Sequence, residues 1–400
     1  MSIKININEL YYYTLSFLMM IIFFPPRAIE VIPDCVMYLA ILKYSKFIIC
    51  LIVISYFCIK HSIYNNFYLK YVFFMCVWIE ISNIVNGLGN NKLIAFFQLL
   101  IPAISLLGIY FIMENYVKKN KLNIFLLSAS VYTFFICFAN FVSQLLLEDG
   151  FYHDHAESNQ AVFICGNDNS FVFFYLFSAG CVVLYSLYQY KKIKWFVFAH
   201  GAFLASSMAI ADSTTGLAIL LLFNFSVLFS CKTFIRTIRY VGKIFMFFII
   251  IFLIWMLWFK GWDSDIVHYL VYEITNEDMN FTSRGILWVG AVNLIINSPW
   301  FGYGTFDSKL VSDLFGTMKS AHNTYLQLLL LGGGPALVCF LVTIFQMYKN
   351  TILKYKTNFF IITVVSLYLI VFIFEQNPFY VGLYFFISLA AINHRYKILE

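Results

Sequence analysis

Three polar residues late in the chain, Arg284, His322 and Asn323, have the types and setting that chemistry needs. Arg284 follows Thr282-Ser283, either of which suits a helix N-cap, and the apolar stretch from about Arg284 to Ile296 reads as a helix stopped by Asn297-Ser298-Pro299. At ~1.5 Å per residue it spans roughly 20 Å, short of the ~30 Å hydrocarbon core of a bilayer, which places it at the interface. The helix dipole disfavours a cation at this end. An anionic partner would reverse that, because free N–H groups and a guanidinium together suit a phosphate; snorkelling to phospholipid headgroups is the equal alternative. His322 and Asn323 stand at the start of another apolar segment. An imidazole can act as a general base near neutral pH, although a lone interfacial histidine is more often a hydrogen-bonding structural residue. Between the two sites, Gly302-Tyr303-Gly304 permits a tight turn, and Gly332-Gly333-Gly334-Pro335 predicts a break at membrane depth. Such a break is tolerated only where it packs in protein or lines a cavity.

The elements that must position these residues are membrane helices. The chain has 400 residues, 62% hydrophobic and 12% charged, with a mean hydropathy of +0.82, where a soluble domain carries about 25% charged residues. Apolar runs recur from end to end, and the short alternating segments of a transmembrane barrel are absent. The fold class is therefore all-α, a polytopic integral membrane protein of roughly twelve spans with a large late outer loop. Helices are expected near 9–24, 36–59, 68–88, 92–113, 123–146, 170–190, 195–211, 215–231, 240–259, 323–348, 357–375 and 377–393, with Lys43 and Lys46 falling unusually inside the second. Residues 1–259 read as scaffold, 260–322 as the outer loop with its interfacial helix, and 323–400 as the last three spans. The first apolar run lacks a small-residue cleavage site and reads as a retained helix.

Orientation follows from charge. Most of the 26 Lys and Arg fall in alternate loops that also hold both termini, while most acids fall on the other side. The positive-inside rule puts the termini in the cytoplasm and the loops near 147–169 and 260–322 outside. His153, Asp154 and His155 in the first outer loop lack metal-ligand spacing, so no metal is expected. Gly166-Asn167-Asp168-Asn169 can cap the sixth helix, and Asp212-Ser213-Thr214-Thr215-Gly216 reads mainly as a turn, with a polar patch for a sugar or phosphate as the alternative. The nine cysteines include no CxxC pair; a bridge between Cys35 and Cys165, both in loops, is conceivable.

Taken together, Ser283-Arg284-Gly285 with a Trp-containing helix, Asn297-Ser298-Pro299-Trp300-Phe301-Gly302-Tyr303-Gly304, Ala321-His322-Asn323-Thr324-Tyr325-Leu326 and the glycine-rich helix resemble the O-antigen polymerase and ligase superfamily. The resemblance implies a bacterial inner-membrane enzyme acting at the periplasmic face on glycans carried by undecaprenyl pyrophosphate, without cofactor or metal. Its partners would be that lipid-linked oligosaccharide, membrane lipid and a polysaccharide chain-length regulator, with no role for nucleic acid. It implies that Arg284 holds the departing pyrophosphate and that His322 activates or orients the acceptor hydroxyl. Asn323 and Tyr303 would contact sugar, Asn169 would lie at a substrate-binding position, and Arg27 would be a second cation for the pyrophosphate. One departure is visible: such proteins often carry an arginine where this chain has Ser213-Thr214-Thr215, and that arginine is associated with ligases. The expected activity is thus polymerisation, with ligation to lipid A-core as the alternative. A flippase of lipid-linked sugars is a further alternative, but it should show internal repeats, and none is seen.

Overall fold

The computed structural model describes residues 7–60, 66–86, 92–147, 150–154, 160–229, 244, 247–252, 284–305, 321–351 and 356–396. Its helices are α1 (Ile7–Phe23), α2 (Ala28–Val31), α3 (Val36–Lys60), α4 (Phe67–Asn86), α5 (Lys92–Lys118), α6 (Leu122–Leu146), α7 (Phe171–Tyr190), α8 (Trp195–Ile210) and α9 (Thr214–Leu228). Further along the chain come α10 (Arg284–Asn297), α11 (Thr324–Asn350), α12 (Lys356–Phe374) and α13 (Val381–Tyr396). The helices fall close to the expected positions because each is a continuous run of good apolar formers ended by polar or glycine-containing turns. Among the described residues seven helices are long and apolar enough to cross a membrane, and three shorter apolar ones accompany them. The expected span at 240–259 lies mostly outside the described residues, which are helical over 247–252. Thr282, Ser283 and the acidic stretch before them also lie outside.

α7 runs through the middle of the bundle and is buried over nearly its whole length. It packs on α6, α8 and α12, while α11 packs along α4, α3 along α5, and α13 along α5 and α12. Polar pairs mark one end of the bundle: Lys121 meets Glu9 at 3.2 Å, and the buried Glu114 receives Lys118 at 3.3 Å, Arg395 at 3.4 Å and the Tyr396 hydroxyl at 2.6 Å. These residues belong to the segments expected on the basic side, so the ends of α5 and α13 and the starts of α1 and α6 share one end.

Three details differ from the sequence reading. The loop after α6 is not wholly irregular: β1 (Tyr152–Asp154) and β2 (Gln160–Val162) form a two-stranded antiparallel hairpin pairing His153 with Ala161. The asparagines before α7 do not cap it. A 3-10 turn at Asp168–Ser170 intervenes, and neither Asn167 nor Ser170 makes a side-chain cap bond. Cys35 and Cys165 are free thiols, so no bridge joins them.

Candidate active site at the His322 turn

The glycine break in α11 and the turn at 298–305 are two halves of one structure. Gly332 and Gly333 leave helical geometry, Gly333 at φ 62 and ψ −165, a region open essentially to glycine alone. The break frees carbonyls of the preceding turn, and the Pro299–Gly304 segment satisfies them. Tyr303 N–H donates to the Leu330 carbonyl at 2.6 Å and Gly304 N–H to that of Leu331 at 2.9 Å, while Gly334 N–H donates back to the Pro299 carbonyl at 2.7 Å. A Cβ on Gly333 would collide with the Trp300 carbonyl. On its other side the turn is gripped by α4. Trp78 donates to the Trp300 carbonyl and stacks on Phe301, Ser82 donates to the Phe301 carbonyl, and Asn86 donates to the Gly302 carbonyl. Asn83 accepts from both the N–H and the hydroxyl of Thr305. The break therefore packs in protein, as its position in the membrane requires.

This interlock sets the ends of α10 and α11, and between them lies His322. The histidine takes a left-handed backbone, φ 44, a conformation rarely held by a non-glycine residue without surrounding constraint. Three contacts supply the constraint. Trp288 of α10 donates its indole N–H to the Ala321 carbonyl at 3.0 Å. Asn323 caps α11 through Oδ1, which accepts from the N–H groups of Tyr325 and Leu326, and its Nδ2 donates to the Ile373 carbonyl at 2.9 Å. Thr324 donates its hydroxyl to the Glu375 carbonyl at 2.8 Å and accepts from Asn377 N–H at 2.9 Å. The turn after α12 is thus fastened to the start of α11, which sets the Glu375 carboxylate 4.0 Å from His322 Nδ1. That separation is electrostatic contact rather than a hydrogen bond.

Glu375 also leads into a cavity of about 400 Å³ lined by Arg27, Glu30, Lys46, Cys165, Ser170, Gln327, the 376–381 turn and a set of phenylalanines. Two cations face one acid there, with the amides of Gln327, Gln376 and Asn377 beside them. The volume and the mixture of aromatic walls with a few polar groups suit a small-molecule site. Gln327 links cavity to turn, since its side chain accepts from Ala321 N–H at 3.5 Å. Burial holds the Cys165 thiol well above its usual pKa, so it stays protonated in the lining.

The residues singled out in the sequence are placed as follows. Arg284 is the first residue of α10, one turn before Trp288. Arg27 is half-buried in the cavity wall, its stem packed against Gly166. Asn169 accepts a 3.4 Å hydrogen bond from Ser213, joining the loop before α7 to the 211–214 turn. Tyr303 donates its hydroxyl to the Leu294 carbonyl at 2.9 Å. Asn323 is fully buried, with both ends of its amide engaged within the protein. Sequence reasoning passed over Glu375 and treated Lys46 only as an oddity. The signal for Lys46 was present, since an ionisable residue inside an apolar span marks a functional site by default. Glu375 lies more than fifty residues from His322 and carried no comparable signal.

A family model described as O-antigen ligase matches residues 162–341, a segment running from the hairpin through the break in α11. Over these residues the chain is similar to the O-antigen polymerase and ligase superfamily. Members are glycan-transferring enzymes of multi-pass bacterial membranes that use lipid-linked glycans. Searches of curated proteins and of solved structures returned no match. The superfamily match covers His322, Arg284, Asn169, Tyr303 and Asn323; Arg27, Lys46 and Glu375 lie outside it.

Proposed function

We propose that this protein is an O-antigen polymerase. It would transfer the growing glycan from undecaprenyl pyrophosphate to the next lipid-linked repeat unit at the periplasmic face of the inner membrane. The observation that carries the reading is a constrained histidine beside a carboxylate, joined through Gln327 and the turn after Glu375 to a cavity lined by two cations. In the reaction the acceptor hydroxyl oxygen forms a bond to the anomeric carbon of the donor, and the bond from that carbon to the pyrophosphate oxygen breaks. Undecaprenyl pyrophosphate leaves with the electron pair, and the hydroxyl proton passes to His322. Nδ1 is the ring nitrogen nearest Glu375, so Nε2 takes the proton. Arg284 and Arg27 stabilise the leaving pyrophosphate as its charge develops. Asn169 and Tyr303 are the residues left for contact with the sugars, while Asn323, fully buried with its amide engaged, positions the turn instead.

Ligation to lipid A-core is the second reading, favoured by the description of the matching family model. Against it stands the segment Ser213-Thr214-Thr215, which carries no arginine. A glycan profile from cells lacking the gene separates the two. Core bearing one repeat unit without a ladder is the expected result; bare core with long polymer left on the lipid carrier would establish ligation instead. In the complemented strain, His322→Ala and Arg284→Ala are expected to abolish the ladder while membrane levels stay normal. Lys191→Ala, at an exposed position remote from the cavity, leaves it intact. A full ladder from either site variant refutes the mechanism.

A further inference from the structure

We propose that Glu375 is the positioning residue for His322, and that Asn323 and Thr324 serve to hold Glu375 in place. The inference rests on His322 being the base and adds the group that orients it. Glu375 closes α12 and opens the turn to α13, so nothing local ties it to the histidine. What ties it are side chains of the two residues directly after His322: Asn323 reaches the carbonyl of Ile373, and Thr324 reaches the carbonyl of Glu375 and the N–H of Asn377. Three hydrogen bonds from two adjacent residues thus bracket the carboxylate. The left-handed backbone at His322 completes the arrangement, since it reverses the chain before the cap and turns Nδ1 toward the carboxylate.

A carboxylate on Nδ1 fixes the imidazole tautomer with its proton on that side, which leaves Nε2 to accept a proton; it then stabilises the imidazolium that results. The 4.0 Å separation is longer than a hydrogen bond, and such contacts commonly tighten once substrate is bound. Both side chains are partly open, at 24% and 14% of full exposure, so a hydroxyl can approach the ring while the pair stays mostly shielded. On this account the His-Asn-Thr segment is one device: a base, and two fasteners for the group that orients it.

The test is kinetic, on the full chain in lipid nanodiscs with lipid-linked repeat units isolated from a polymerase-deficient strain. Glu375→Gln is expected to lower kcat by at least about tenfold, toward the ~10⁴-fold loss seen when a carboxylate that orients a catalytic imidazole becomes an amide, with KM changed less than about twofold. Glu375→Asp should recover part of the loss. Combined with His322→Ala, Glu375→Gln should add no further loss, because the two act as a unit. A kcat for Glu375→Gln equal to the parent's, or a loss confined to KM, overturns the inference. An inactive His322→Ala beside a fully active Glu375→Gln sinks this inference alone. A fully active His322→Ala removes the base, and the inference with it.

Discussion

Gly333→Ala is the sharpest probe of how the chain holds its site. The alanine Cβ adds strain at φ 62, ψ −165, a region that costs about 1–3 kcal/mol for a residue other than glycine. It also lands on the Trp300 carbonyl, so the 299–304 turn must back away from α11. Three hydrogen bonds span that contact, from Tyr303, Gly304 and Gly334, and each contributes roughly 0.5–1.5 kcal/mol. Losing most of them brings the total to about 3–6 kcal/mol. Gly334→Ala is the control one residue away. Its Cβ would meet only the Pro299 oxygen, at 3.5 Å, which is ordinary contact, and its N–H would stay in place. It should cost less than about 1 kcal/mol, partly offset by the better helix propensity of alanine. The assay is a tryptophan-fluorescence melt in nanodiscs at fixed scan rate, since Trp78 and Trp300 both sit at the interlock. At roughly 2 °C per kcal/mol or somewhat less for a chain this long, Gly333→Ala should melt several degrees below the parent and Gly334→Ala within about a degree of it. Equal melts for the two variants would refute the interlock.

Two further predictions follow from the site. Asn323→Ala removes a helix cap and the tether to Ile373 together, for a loss of about 2–4 kcal/mol; Asn323→Ser keeps a capping oxygen and should lose about half as much in the same melt. Lys46→Met removes one of the two cavity cations at similar volume and should raise KM for the lipid-linked repeat unit about tenfold, while Lys46→Arg stays within about threefold; the tenfold shift equals about 1.4 kcal/mol of binding, and unchanged KM values for both would place the substrate elsewhere.

The helical frame was legible because length and apolarity decide it locally. α3 through α9 begin and end within a few residues of expectation, and so do α10 and the break in α11. The candidate site was legible only where a residue type is out of place in its own segment. His322 and Arg284 stood out as polar groups at the borders of apolar runs, and the glycines stood out as a cluster. Trp78, Ser82, Asn83 and Asn86 did not, because they lie on one side of an otherwise ordinary apolar helix and matter only through a turn more than two hundred residues later. Glu375 was hidden for the same reason. The hairpin at 152–162 was missed because three-residue strands carry too little alternation to read. The capping role given to the Gly166-Asn167-Asp168-Asn169 run failed because a 3-10 turn took the place of a cap.

The interlock also fixes an order of assembly. α4 and the Pro299–Gly304 turn leave the ribosome before α11 does, so the grip on the turn can form while the later helix is still being made. α11 enters the bilayer as a plain apolar segment, and the carbonyls of Leu330 and Leu331 find their partners only when it docks against the waiting turn. Until then the bend has polar backbone without protein to meet it, a state that hydrocarbon does not tolerate. Formation of the His322 turn is therefore gated by a template built earlier in synthesis, and chains stalled before α11 should expose that unfilled template to membrane quality control.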